Sequence, residues 1–431
     1  MHQAARRLTI ERNPKMPPLP FPDGGAGWPD LQARMRDMSA GDADWRGGRV
    51  PLFVFLNEPE TYEIGRKAFF EYFSENALGR KRAFHGIGRM EEEVLGYGLS
   101  LFSAPEGAAG AFSSGGSESI FMAMKAARDA WRAQHGKGRE VALNIVMPIS
   151  GHPAFDKAAA AMDLEIRRAP LTPDRRVDVA ALGALCDGQT MAIVGSAPCF
   201  PHGVIDPIEA LSDLAVERGL WLHVDACVGG WLAPFFARVG RGTPAFDFRF
   251  PGVRSISADL HKFGFCPKPA STVFYRDGAD MERALFRADA WTGGAFATAT
   301  LGGTRPAGAV AAAWAVLNHL GTAGYEDAAR RLGAMVDAYT AGLRGIAGVR
   351  LWAEPDFTII NFGAEDADIF AVAKGMQARG WLPGLTREPK GLHAMLSMFH
   401  EPAREAYLAD LADALAEVRA GADAGGVTAQ Y

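Results

Sequence analysis

Between Leu143 and Ala226 the chain alternates short apolar runs with helical stretches, and that rhythm limits its fold more than any other feature. Leu143 to Pro148 reads as a strand, Pro153 to Met162 as a helix, Leu164 to Ala169 and Met191 to Ser196 as strands, Ile208 to Arg218 as a helix and Trp221 to Ala226 as a strand. Apolar strands separated by helices are what a buried parallel sheet requires. The spacing predicts an α/β fold with a mainly parallel central sheet and helices on both faces. Ser255 to Ala258 and Ala270 to Tyr275 extend the strand series. A helical pattern fills residues 60 to 100, and a long apolar helix is expected around 306 to 320. Beyond it, helix, strand (Phe357 to Phe362), helix (Ile369 to Arg379), strand (Leu392 to Phe399) and a terminal helix (Pro402 to Ala420) outline a smaller α+β domain. The first 50 or so residues are rich in Pro, Gly and Arg and read as an extended arm. The expected division is an arm over 1–55, a large domain over 56–325 and a small domain over 326–431.

In an open α/β sheet, ligands sit outside the carboxyl ends of the strands. Trp221-Leu222-His223-Val224-Asp225 delivers a carboxylate to such an end, and Ala226, Gly229 and Gly230 leave room beside it for something flat. An aspartate there can equally serve as a helix N-cap. Upstream, Ser113-Ser114-Gly115-Gly116-Ser117 opens a helical run that includes Phe121 to Arg128. Backbone N–H groups and the positive end of the helix dipole make such a loop an anion cradle, though an ordinary N-cap has the same composition. Downstream, Ser257-Ala258-Asp259-Leu260-His261-Lys262-Phe263-Gly264 places a lysine after a strand in an apolar, glycine-broken context. Burial there disfavours the ammonium, and imine formation needs a neutral amine. A lysine snorkelling at a strand end is the bland alternative. Phosphate cradle, strand-end carboxylate and imine-forming lysine are the three groups that pyridoxal 5'-phosphate requires. Gly116 and Ser117 are then expected at the phosphate, Asp225 at the pyridine nitrogen and Lys262 at the aldehyde carbon.

Composition excludes several other classes. With 45 basic and 50 acidic residues interspersed, for a net charge of −5, the chain has no basic stripe, so nucleic acid is not an expected partner. No apolar run reaches the roughly eighteen residues of a spanning helix, so no transmembrane anchor is expected. Met1 to Arg7 lack the apolar core of a signal peptide, and a cytoplasmic location is expected. Cys186, Cys199, Cys227 and Cys266 show no CxxC spacing; neither a metal site nor a disulfide framework is expected, and packing is the preferred role of Cys227 and Cys266.

The order of Ser-Gly-Gly-Ser-Glu-Ser, His-Val-Asp-Ala-Cys-Val-Gly-Gly and Ser-Ile-Ser-Ala-Asp-Leu-His-Lys resembles the group II pyridoxal-phosphate-dependent decarboxylases, and among them the sphingosine-1-phosphate lyases. Phe200 to Pro207, His152 to Ala159 and Gly302-Gly303-Thr304-Arg305-Pro306 are similar to the lyase branch in particular. The resemblance runs from about residue 50 to the C-terminus. It implies a fold type I enzyme, like aspartate aminotransferase, working as a homodimer with shared active sites. It implies that His152 stacks on the cofactor ring with Cys227 near the other face. His261 and Thr304 would bind the cofactor phosphate, Thr304 from the partner chain, and Lys268 would face a substrate phosphate. Lys262 and His202 are the candidate proton carriers, and for His202 and His223 a role in core hydrogen bonding stands beside site chemistry. The implied reaction is retro-aldol cleavage of a 2-amino-3-hydroxy compound, such as a sphingoid-base phosphate, to an aldehyde and an amine. An amino-acid α-decarboxylase on the same scaffold is the alternative, and a non-catalytic binding protein is a third reading. An aminotransferase would need a carboxylate-binding arginine, for which Arg387 is the candidate. The N-terminal side departs from the lyases: Leu56 stands where they carry a tyrosine, and Asn76-Ala77-Leu78-Gly79 where they carry Asn-Pro-Leu-His.

Overall fold

The computed structural model describes residues 17–421 apart from residue 139. The chain divides into two units, Met1–Ala43 and Asp44–Tyr431. In the first, α1 (Trp28–Met38) replaces extended chain over those residues of the expected arm: Pro29 and Asp30 suit a first helical turn, and none of the helix residues is buried, while residues 1–16 of that arm lie outside the described residues. Residues 44–55 are tied into the second unit by their backbone. Leu382 N donates to Arg49 O at 2.9 Å, Met395 N donates to Pro51 O at 2.8 Å, and Val50 O meets His400 Nε2 at 3.0 Å.

In the second unit, α2 (Pro59–Glu71) and α3 (His85–Leu101) lead into β1 (Ala109–Ser113), α4 (Gly116–His135), β2 (Leu143–Pro148), α5 (Ala154–Met162) and β3 (Leu164–Ala169). There follow α6 (Val179–Leu185), β4 (Thr190–Ser196), α7 (Ile208–Arg218), β5 (Trp221–Asp225), α8 (Ala233–Arg238), β6 (Val253–Ala258) and β7 (Ser271–Tyr275). Among the described residues these strands form one seven-stranded sheet in the order β1-β7-β6-β5-β4-β2-β3. Neighbours from β6 to β3 are parallel, while β7 runs antiparallel to both β6 and β1. Both β1 and β6 oppose β7, so every strand except β7 points the same way. The carboxyl ends of β1, β2, β4, β5 and β6 therefore open on one edge, which is where the α/β rule places a ligand. Every residue of β2, β4 and β5 is buried, as expected for strands covered on both faces.

After α9 (Gly278–Ala284) a hairpin of β8 (Phe286–Ala288) and β9 (Phe296–Thr298) precedes α10 (Ala307–Gly345). The first part of α10 is the expected apolar helix, and it breaks at Gly321, whose φ of 53° and ψ of −172° suit only glycine. Then come β10 (Val349–Leu351), β11 (Ile359–Ala364), α11 (Ile369–Ala378), β12 (Gly384–Arg387), β13 (Lys390–Met395) and α12 (Arg404–Arg419). Their strands make an antiparallel sheet in the order β10-β11-β13-β12. The strand expected to run to Phe399 ends at Met395. Ser397 N donates to His400 Nδ1 at 2.8 Å and His400 N to Ser397 O at 3.0 Å, so that stretch turns on itself instead of joining a ladder. Among the described residues no helix is long and apolar enough to cross a membrane.

Candidate active site

The shared carboxyl edge holds a cavity of about 320 Å³ lined by Ser114, Gly116, Ser117, His152, Asp225, Cys227, Asp259, His261 and Lys262, among others. Five strand ends supply it. At the end of β1 the chain turns through Ser114 and Gly115 into α4, whose first amides have no intrahelical partner. Gly116 is required by space: a Cβ there would stand 2.7 Å from Cys227 Sγ and 3.0 Å from both carboxylate oxygens of Asp259. Glu118, in the first turn of α4, accepts from the N–H and the hydroxyl of Ser114 at 2.7 Å each. Its other oxygen accepts from Gly302 N at 3.0 Å, so the loop is tied to the segment that carries Thr304.

Asp225 closes β5 with its side chain buried, and its Oδ1 accepts from Cys227 N at 3.1 Å and from Ser257 Oγ at 3.4 Å. Two residues earlier His223 contacts Ser255 Oγ at 2.8 Å and Ser257 Oγ at 3.2 Å. Burial pulls its imidazole down to about 4, so it stays neutral and belongs to the core beneath Asp225. Burial also pushes the Cys227 thiol up, with Asp225 and Asp259 adding to the rise. That sulfur donates to Ser257 Oγ at 3.3 Å. His152, just beyond β2, takes Ala154 N–H on Nδ1 at 3.1 Å, which leaves Nε2 to carry the ring proton. Burial lowers its pKa, so the ring is a neutral, flat wall of the cavity.

The expectation that burial would lower the pKa of Lys262 is corrected. Burial does act in that direction, but Asp259, Cys227 and Asp225 outweigh it and the ammonium is held above the ordinary lysine value. The Nζ lies 3.0 Å from Asp259 Oδ2, while His261 Nε2 is 3.7 Å from the same oxygen. Asp259 is itself pushed up by burial and pulled further down by Lys262 and His261. Sequence reasoning missed Asp259 as a site residue, although it stands three positions before the lysine in the same motif.

Other expected residues fall elsewhere. Lys268 donates to Phe53 O at 2.9 Å, and burial, then Lys262, lowers its pKa. It lines a second cavity of about 360 Å³ with Leu56, Tyr62 and Arg66, and His261 faces both this space and the central one. Thr304 accepts from Asn76 Nδ2 at 3.2 Å and lines a third cavity of about 590 Å³, which shares Ser114, Ser117 and Glu118 with the central one. His202 is not brought to the central cavity: it is buried with Nδ1 3.1 Å from Asn361 Oδ1. Arg387 lies exposed at the end of β12, and Gly79 packs toward the Phe84 ring, outside these spaces.

The residues present fit pyridoxal 5'-phosphate. The cavity offers an anion-binding helix start, a buried carboxylate on a strand end, a flat imidazole and an amine, with Asp259 Oδ1 buried and lacking a hydrogen-bond partner. Residues 89–365 match the family model for the pyridoxal-dependent decarboxylase conserved domain. The chain is 35% identical over 399 residues to the sphingosine-1-phosphate lyase of Arabidopsis thaliana, covering 91% of this chain and 72% of that protein. It is 36% identical over 354 residues to a probable L-tyrosine/L-aspartate decarboxylase of Methanothrix thermoacetophila, covering 82% of this chain and 88% of that protein. Among solved structures, a sphingosine-1-phosphate lyase of Burkholderia pseudomallei superposes with a TM-score of 0.88 at 34% identity, covering 93% of each chain.

Proposed function

We infer what this chain does from the fact that it belongs to the pyridoxal-dependent decarboxylase family: it is a carbon–carbon lyase that cleaves a phosphorylated 2-amino-3-hydroxy substrate of the sphingoid-base type to an aldehyde and an amine. The observation that carries this reading is the single cavity in which Gly116, Ser117, His152, Asp225 and Lys262 converge from separate strand ends. When bound, pyridoxal 5'-phosphate supplies an electron sink for the bond that breaks.

The chain's own residues divide the remaining work. Gly116, Ser117 and His261 would hold the phosphate at the start of α4, joined in a homodimer by the partner's Thr304. Asp225, kept buried and aligned by Cys227 N and Ser257, would meet the pyridine nitrogen. The neutral His152 and Cys227, both lining the cavity, would flank the cofactor ring. Lys262 is the attachment point, and once free it is the amine available in the cavity to move a proton at the reacting end of the substrate. Lys268 takes the substrate phosphate: its cavity adjoins the central one through His261, and its apolar walls, which include Phe55, Leu56 and Phe69, suit an aliphatic chain. The enzyme works in the cytoplasm.

A second reading, α-decarboxylation of an amino acid, is favoured by the 36% identity to the Methanothrix decarboxylase; the match to the Arabidopsis lyase extends over more of this chain, 91% against 82%. Incubation of the loaded protein with sphingosine 1-phosphate, tyrosine, aspartate and glutamate separates them. Fatty aldehyde from the sphingoid base is expected. Carbon dioxide without aldehyde would replace the lyase by the decarboxylase, and a protein that takes up no cofactor would remove both.

A further inference from the structure

Lys262 has two carboxylates near it, and they are engaged differently. Asp225 is committed through Oδ1 to Cys227 N and Ser257 Oγ. Asp259 meets the lysine directly, Oδ2 to Nζ at 3.0 Å; its Oδ1 is buried with no partner in good hydrogen-bond geometry, the Ser271 hydroxyl being the nearby donor that also favours its charged form. Only 2% of the Asp259 side chain is exposed, whereas Lys262 presents 22% of its side chain to the cavity. The carboxylate is wedged under the first turn of α4, since both of its oxygens would lie 3.0 Å from a Cβ on Gly116. A buried carboxylate oxygen left unpaired is costly and calls for an explanation. Beside this carboxylate stands an ammonium that has to lose its proton before it can act as a nucleophile.

We propose that Asp259 is the positioning residue of Lys262: its carboxylate anchors the ammonium in the cavity while the lysine is free, keeps the proton on Nζ and so holds the amine back as a nucleophile until that ion pair is broken. This rests on the reading of Lys262 as the attachment point. The ion pair carries no net charge, so it leaves no uncompensated charge in a buried site. Other titratable groups facing the amine are Asp225 at the end of β5 and Cys227 after it, His152 after β2, Glu118 on α4, and His261 and Lys268 on the lysine's own loop. Among them Asp259 is the one in an ion pair with Nζ.

The test reads the amine itself in cofactor-free protein. Potassium cyanate, small enough for the cavity and selective for neutral amines, is applied across a pH series, and carbamylation of Lys262 is followed by peptide mass analysis. Asp259→Asn is expected to move the midpoint down by about one pH unit or more, making Lys262 about tenfold more reactive at neutral pH. Asp259→Glu is expected to move it back up. An Asp259→Asn midpoint equal to that of the parent protein would overturn the proposal, as would failure of the glutamate to restore it. A parallel arm adds pyridoxal 5'-phosphate, which should protect Lys262. Lack of protection would overturn the attachment reading instead, so the two failures are distinguishable. If Asp259→Asn does not fold, the double variant with Lys262→Gln removes both charges and should recover folding. A double variant as unstable as the single one would count against the pair.

Discussion

At the scale of single residues the convergence of the candidate groups was legible, because each of them left a distinct local pattern. Gly116, Asp225 and Lys262 come together in the one cavity where their order in the sequence places them. What was not legible were partners supplied from far along the chain. His202 sits in a motif that invites a site role, yet its ring meets Asn361, 159 positions away. The charge of Lys262 was misjudged for a local reason: Asp259 was read as part of a motif and not as a counter-ion. Two substitutions test the residue assignments. Lys262→Ala is expected to abolish the visible absorbance band of the loaded protein, and a retained band would remove the lysine from its role. Gly116→Ala puts a methyl group 2.7 Å from Cys227 Sγ, an overpacking worth about 1–3 kcal/mol. Titration with pyridoxal 5'-phosphate should then show affinity about tenfold weaker or worse, and unchanged affinity would mean that the loop is not the cradle.

At the scale of elements, strands rich in branched apolar residues announced themselves and β1 did not. Its sequence, Ala109-Gly110-Ala111-Phe112-Ser113, is short of β-formers because the strand lies against a large neighbour: a Cβ on Gly110 would be 2.7 Å from the Phe274 ring. β1 is held in place partly by an ion pair that sequence could not reveal. Arg305 donates to Phe112 O at 3.1 Å and to Glu91 Oε2 at 3.0 Å, joining β1, α3 and the Thr304 segment in a pair whose side chains are 8% and 5% exposed. Asn76 adds to the same clamp, accepting from Arg305 N at 3.2 Å and donating to Thr304. A buried pair that loses one charge leaves the other stranded. Glu91→Gln should therefore cost about 3–5 kcal/mol in urea unfolding. A loss below about 1 kcal/mol would show that water or another carboxylate already compensates Arg305.

At the scale of the whole molecule, the strand–helix alternation foretold a mainly parallel α/β sheet, while the order β1-β7-β6-β5-β4-β2-β3 depends on long-range pairing that no local pattern encodes. The same burial that builds this sheet sets how the chain responds to acid. His223 and His393 are buried and drawn from 6.5 down to about 4. As pH falls, the unfolded chain binds their protons first, so the stability they preserve is present above about 6.5 and lost on the way to about 4. Asp206 works in the opposite direction. It is buried, pushed up from 3.8 to about 6, and the folded chain binds its proton first, so stability returns as pH falls through that range. Between pH 7 and pH 5 each of these histidines removes about 2 kcal/mol and Asp206 restores about 1, a net loss of about 2–3 kcal/mol. Burial lowers His152, His202, His261 and His400 as well, and their contribution has the same sign as that of His223. The urea midpoint of the cofactor-free protein should thus be lower at pH 5 than at pH 7, and His223→Asn or His393→Gln should flatten the difference while lowering stability at both. A midpoint that stays level or rises on acidification would mean that these rings are protonated inside the fold, and the neutral core beneath Asp225 would have to be abandoned.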